Sequence, residues 1–146
     1  MKIAKSILGI FFLMFLIVHS PTIAQENNDA EIKSTLSTLL ELSKSKSYSD
    51  AAKHIAYKGE DSKRNLLVPL NPNDKNELAQ VRRIVNKISS LLQLSSKYEI
   101  GRIIKSDDDE NVNYNIEVFF TSGEQKLTTL FKVVKTDFGF LLYDMD

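Results

Sequence analysis

Asp137-Phe138-Gly139, near the end of the chain, spells the tripeptide with which protein kinases hold a magnesium ion. In a kinase the aspartate acts beside a catalytic loop, a strand lysine and a glycine-rich loop. None of those companions occurs in this sequence, and only seven residues follow Gly139. The tripeptide is therefore expected to be a turn, with Asp137 bonding nearby amides, Gly139 at positive φ and Phe138 as a loop aromatic. The run Asp107-Asp108-Asp109-Glu110 is acidic enough to attract calcium. It lacks the alternating ligands and central glycine of an EF-hand, so a solvated hairpin tip is the expectation. Asp144 and Asp146 read as a frayed terminal pair.

Histidine occurs twice, and His19 falls in the apolar leader described below, which leaves His54. One histidine without a pattern of acidic ligands argues against zinc, and no metal or cofactor is expected. Serines are plentiful, but no G-x-S-x-G elbow marks a nucleophile, so no catalytic residue is assigned. His54, Tyr57 and Tyr114 remain as candidate ligand-binding groups able to donate a proton, with Glu117 as a weaker candidate base. Residues 44–64 hold six Lys and Arg against Asp50, Glu60 and Asp61, with Tyr48 and Tyr57 among them. Such a stretch could meet an acidic partner; its expected role is the hydrated face of a helix and its loops.

These groups must be carried by a chain that opens with export instructions. Lys2 and Lys5 precede an unbroken run of apolar residues and glycine from Ile7 to Val18. That run lies within the roughly 7 to 15 residues of a signal-peptide core and is shorter than the roughly 20 that span a bilayer. Pro21 is expected to break any helix, and Thr22-Ile23-Ala24 offers small residues to signal peptidase. Residues 1–24 are read as a signal peptide cut before Gln25, and residues 25–146 as one domain for the periplasm or the exterior. No stable membrane span would remain after cleavage.

Nineteen basic side chains balance nineteen acidic ones, and removal of Lys2 and Lys5 leaves a slight acidic excess. Nucleic acid is not an expected partner of such a chain, because binding phosphates needs a basic face. There is no cysteine. A disulfide, a thiol nucleophile, a thiolate metal site and a cysteine-linked lipid are all excluded, so burial must hold the fold together.

The period of the apolar residues changes midway. Asn28 and Glu31 have capping-box spacing, and Ile32, Leu36, Leu39 and Leu40 follow as one stripe of a helix ending near Lys44. Residues 47–59 read as a short helix, capped by Ser49 and stopped by Gly59. Pro69 allows residues 66–70 at most an edge strand. Asp74 and Glu77 then start a long helix whose face carries Leu78, Val81, Val85, Ile88 and Leu92, widened by Ile84 and Leu91.

After Ser96 the period is two, predicting strands over residues 98–105, 112–121, 124–135 and 140–144. A two-residue loop at Ser122-Gly123 would set Val118 opposite Leu127, Ile116 opposite Thr129, Tyr114 opposite Phe131 and Val112 opposite Val133. The other face would then pair Phe119 with Lys126, Glu117 with Thr128, Asn115 with Leu130 and Asn113 with Lys132. For the last hairpin two registers stay open. A four-residue loop sets Leu142 opposite Val133, and a three-residue loop sets Asp144 opposite Lys132.

The predicted architecture is α+β, with N-terminal helices packed on a curved four-stranded antiparallel meander. This order, with the tail V-N-Y-N-I-E-V-F-F-T-S-G-E-Q-K-L-T-T-L-F-K-V-V-K-T-D-F-G-F-L-L, resembles the NTF2-like, or cystatin-like, roll. It looks like small exported bacterial members of that superfamily whose function is unknown. The resemblance covers most of residues 28–144 and rests on order and spacing, without a diagnostic motif. It implies a sheet wrapped around the long helix and a pocket that some members use for isomerase or dehydratase chemistry and many use for binding or dimerisation. A fold does not choose among these. Two expectations follow. The first is a non-catalytic exported module that binds a protein or small molecule, or forms a homodimer, through the outer sheet face at Phe119, Leu130 and Val134. The alternative is a small acid-base enzyme whose pocket holds His54, Tyr57 or Tyr114.

Overall fold

The computed structural model describes residues 21–106 and 111–146, with side chains from residue 26 onward. Most of the expected leader and the acidic run 107–110 lie outside the described residues. The described residues form three α-helices on a four-stranded antiparallel sheet, an α+β architecture.

Among the described residues helix α1 spans Pro21–Lys44, so Asn28 lies inside it and does not cap it, while the break expected between the leader and Pro21 lies outside the described residues. Asn28 has a tertiary role instead: its Nδ2 donates to Tyr114 Oη at 3.1 Å, and its Oδ1 accepts from Lys135 Nζ at 3.0 Å. Ile32, Leu36, Leu39 and Leu40 form the expected buried stripe. The helix ends in a Schellman arrangement: Ser47 N donates to Leu42 O (2.9 Å) and Lys46 N to Ser43 O (3.2 Å). Lys46 takes the left-handed position, at φ 55°.

The second helix is shorter than its pattern suggests. α2 covers Tyr48–Ala51, with Ser47 rather than Ser49 at its cap position, and continues as a 3₁₀ turn over Ala52–His54. Ile55 is already extended, at φ −120° and ψ 125°. Tertiary pairing overrides local helix preference here. Ala56 N donates to Leu142 O (2.8 Å), and residues 55–57 pair with 68–70 through Tyr57 N to Val68 O (2.8 Å) and Leu70 N to Ile55 O (2.9 Å). Pro69 faces Ala56 between those two bonds. At that position no N–H is required, which is how this short ladder tolerates a proline.

Helix α3 spans Lys75–Gln93, and Asp74 Oδ1 caps it by accepting from Asn76 N (2.8 Å) and Glu77 N (2.9 Å). Val81, Val85 and Ile88 are fully buried, each contributing about 1.5–3 kcal/mol of transfer free energy. They meet the α1 stripe and the inner sheet residues Ile116, Val118, Phe131, Val133 and Leu142 in one core cluster.

The strands are β1 (Lys97–Ser106), β2 (Asn113–Ser122), β3 (Gln125–Thr136) and β4 (Gly139–Met145), in the spatial order β1-β2-β3-β4. The faces sort by parity as expected, with Val118 and Leu127 on the same side, but the β2–β3 register differs by two residues. Phe120 faces Leu127, Val118 faces Thr129, Ile116 faces Phe131 and Tyr114 faces Val133. The loop is Gly123-Glu124, with Gly123 at φ 58° in the first loop position, where one of the favoured two-residue turns takes glycine. On the outer face Glu117 consequently sits opposite Leu130, and Phe119 opposite Thr128.

Both registers weighed for the last hairpin are present. Val133 faces Leu142 near the turn, and Lys132 faces Asp144 beyond it, because a bulge at Tyr143 adds one residue to β4. The turn is Asp137-Phe138, with Gly139 at φ 90° and Phe138 exposed. Thr136 takes the hydrogen-bonding role expected of Asp137: its Oγ1 accepts from Phe138 N (3.0 Å) and donates to Gly139 O (2.9 Å). Asp144 and Asp146 are not a frayed pair, since both bind Lys132 Nζ, at 3.3 and 2.8 Å. A second bulge in β1 places Gly101 and Arg102 against the single residue Glu117.

Candidate functional site

The three proton-donating candidates do not converge. Tyr114 is buried on the inner face of β2, its ring edge-on to Phe140 with centroids 5.5 Å apart and its hydroxyl accepting from Asn28. Tyr57 packs half-buried against the edge of the core on the extended segment, and the Arg64 guanidinium lies over its ring, 4.2 Å from the centroid. His54 closes the 3₁₀ turn, half-buried. Burial pushes its pKa down, Lys53 adds to that, and Asp50 offsets part of it. No hydrogen bond joins any two of these residues among the described ones. Glu117 lies on the opposite, outer face, bound in a fork by Arg102 (2.9 and 2.7 Å). Arg102 holds the Glu117 carboxyl below the usual glutamate range. A general base near neutral pH needs the opposite shift.

The outer-face residues expected to meet a partner are also separated. Val134 is fully buried in a small second cluster with Ala56 and Leu141, against which Leu66 and Tyr143 pack. Residues 55–70 thus form a strap along the edge of β4, with Ile55 and Leu70 in the main core and Ala56 and Leu66 in the small cluster, and Val134 belongs to the interior that the strap closes. Phe119 lies over the Gly101 bulge, where a Cβ would come within 2.5 Å of its ring, and Lys126 Nζ sits 3.6 Å from its centroid. Leu130 is half-buried, and Asp146 N donates to its carbonyl at 3.0 Å. The Arg102–Glu117 pair stands beside Phe119, so the apolar residues form no continuous patch.

The strap is anchored by a second forked ion pair. Arg64 donates to both oxygens of Glu77 (2.8 and 3.0 Å), and Asn71 N donates to Glu77 Oε2 at 2.6 Å. Glu77 therefore does not return to its own helix terminus as a capping box would have it. Arg64 chiefly, aided by the Asn71 amide and opposed by burial, holds the Glu77 carboxyl below its usual range.

Where the strap, α3 and β4 meet, a groove of about 340 Å³ opens, lined by Ala56, Lys58, Gln80, Arg83, Ile84, Lys87 and residues 142–145. Leu142 and Ala56 are buried, Ile84 is half-buried, and three cations stand at the exposed rim. Lys87 Nζ donates to Met145 O (2.9 Å), while Arg83 has no partner among the described residues. Asp144 is the one acidic residue of the lining, and it is already engaged by Lys132 at 3.3 Å and Lys58 at 3.9 Å. Burial pushes its pKa up, but Lys58 and Lys132 together hold it below the usual value. A second hollow of about 460 Å³ lies between the ends of α1 and α3 and the start of β1. Its Ser95 and Ser96 hydroxyls already donate to Leu91 O and Thr121 O.

Sequence reasoning missed this groove. Arg83 and Lys87 stand one helical turn apart beside Ile84, a signal that a basic stripe borders the apolar face of α3. Nothing in the sequence places Lys58 and the end of β4 across from it. Of the six cations in residues 44–64, only Lys58 reaches the groove; Lys53 pairs with Asp50, and Arg64 anchors the strap.

The chain matches none of the protein-family models, curated proteins or solved structures with which it was compared. Among the described residues, no group of three or more His, Asp and Glu is placed to hold a metal ion, and no helix is long and apolar enough to cross a membrane.

Proposed function

We propose that the protein is an exported, non-catalytic binding module with an NTF2-like roll, and that its ligand sits in the groove between α3 and β4. The observation that carries this reading is the combination of an apolar floor with a rim bearing Arg83, Lys87 and Lys58, of which Arg83 has no partner among the described residues. Concave sites with apolar linings and a few convergent polar groups are the usual seats of small ligands. The acid-base alternative draws no support from groups that point to different parts of the fold. Export rests on the leader pattern, and the roll on element order.

Nuclear magnetic resonance screening of residues 25–146 against a mixed set of neutral, cationic and anionic small molecules tests the seat. Shifts should cluster at Ile84, Lys87, Tyr143 and Met145; clustering around Phe119 and Leu130 would move the function to the outer face. Intact-mass measurement of exported material tests the cut before Gln25.

A further inference from the structure

Resting on the groove as the seat, we infer that its ligand is a small organic acid: one carboxylate held by Arg83 and Lys87, with a compact apolar body on the floor formed by Ala56, Ile84 and Leu142. Arg83 and Lys87 are at i and i+4 on α3, so their side chains stand side by side. The planar fork of an arginine matches the two oxygens of a carboxylate, and the Arg83 fork is uncommitted among the described residues. Lys87 spends one donor on Met145 O and keeps two. A cationic ligand would meet three positive side chains.

Lys58 already faces Asp144 at 3.9 Å, a carboxylate that Lys132 also binds at 3.3 Å, so Arg83 and Lys87 are the rim cations left for an anionic head group. The volume of about 340 Å³ lies at the lower end of small-molecule sites, which run from about 300 to 1,000 Å³, so the body beyond the head group is a few carbons long. The local excess of cations is not a property of the whole chain, whose acidic and basic residues balance. It is a feature of this surface.

The test compares hexanoate, hexanamide and inorganic phosphate, titrated into the folded protein and followed by amide shifts in the groove. Hexanoate should bind about tenfold or more tighter than hexanamide, since hydrogen bonds between ionised partners are roughly twice as strong as neutral ones. Arg83→Glu should weaken hexanoate by at least about tenfold while leaving hexanamide within about twofold; Lys33→Glu, exposed on α1, should change neither. Arg83 is exposed, so a native circular dichroism spectrum is expected for the variant, and Arg83→Gln serves if the charge reversal perturbs folding. Equal affinity for hexanoate and hexanamide would overturn the acid and leave the groove as a seat. Phosphate binding as tightly as hexanoate would overturn the apolar body. Shifts elsewhere, or none with any probe, would overturn the groove itself.

Discussion

Helix α3 and the strap are neighbours held in place by different physics. α3 is fixed by area: Val81, Val85 and Ile88 are fully buried against α1 and the sheet. The strap enters the same core only at its two ends, Ile55 and Leu70, and is otherwise fixed by a few local contacts, namely the Arg64–Glu77 fork, the Ala56–Leu142 hydrogen bond and the small cluster around Val134. Area-driven packing is distributed and tolerates the loss of one contact. Directional anchoring concentrates the stability of a segment in a few atoms, so it can be released locally. The groove lies along the seam between the two, with Arg83 and Lys87 on the rigid side and Lys58 on the strap.

The largest break in that contrast is Val85→Asp. An unpaired charge at a fully buried site costs several kcal/mol, comparable with the roughly 5–15 kcal/mol that stabilise a whole domain. The variant should show no cooperative unfolding transition in denaturant; a native-like transition would mean that α3 is not the centre of the core. Next comes Phe131→Ala, which removes a fully buried ring shared by the sheet and helices. It should lower global stability by about 3–5 kcal/mol without selective loss in the strap, measured by urea unfolding.

Arg64→Ala should act only locally. Hydrogen exchange at Tyr57, Leu66 and Val68, whose amides bond within the strap, should accelerate while that of Val85 and Ile116 stays unchanged. Uniform acceleration would show that the strap and core unfold as one unit. Glu77 adds a pH signature. Its folded pKa is depressed below the usual 4.5, so its contribution is complete above that value and is lost as pH falls through the lower folded one. Glu77→Gln should flatten that acid dependence of strap protection. The smallest effect is a gain: Lys46 is exposed at φ 55° in the Schellman turn, and Lys46→Gly should stabilise the protein by about 0.5–1 kcal/mol in thermal unfolding. A loss would mean that the lysine side chain supplies more than the backbone strain removes.

Legibility in the sequence follows the same division. The stripes of α1 and α3 and the alternation of β2 and β3 could be read directly, because one dominant neighbour demands apolar residues at a fixed period. The β2–β3 register came out two residues away because parity survives such a shift, leaving Val118 and Leu127 on one side either way. Residues 55–59 looked helical because Ala52, Ile55 and Ala56 have helical spacing, yet Ile55 and Ala56, still buried, extend their backbone to pair with Leu142 and Pro69. The candidate site was hidden for a related reason. Arg83 and Lys87 are visible as a pair on one helix, whereas Lys58 and Met145 reach them only through the strap and the last strand.

Local chemistry alone thus determined that one helix face and alternate strand residues must be buried, where the chain turns at Gly123 and Gly139, and that no thiol chemistry is available. Period, φ preference and composition belong to short stretches of chain and need no partner. The tertiary structure decided that Val134 is interior, that Glu77 serves the strap rather than its own helix, and that Lys58 joins the distant pair Arg83 and Lys87 in one groove. Each of those outcomes depends on which surfaces meet, and hydrogen bonds and charges between residues far apart in sequence leave no periodic trace along it.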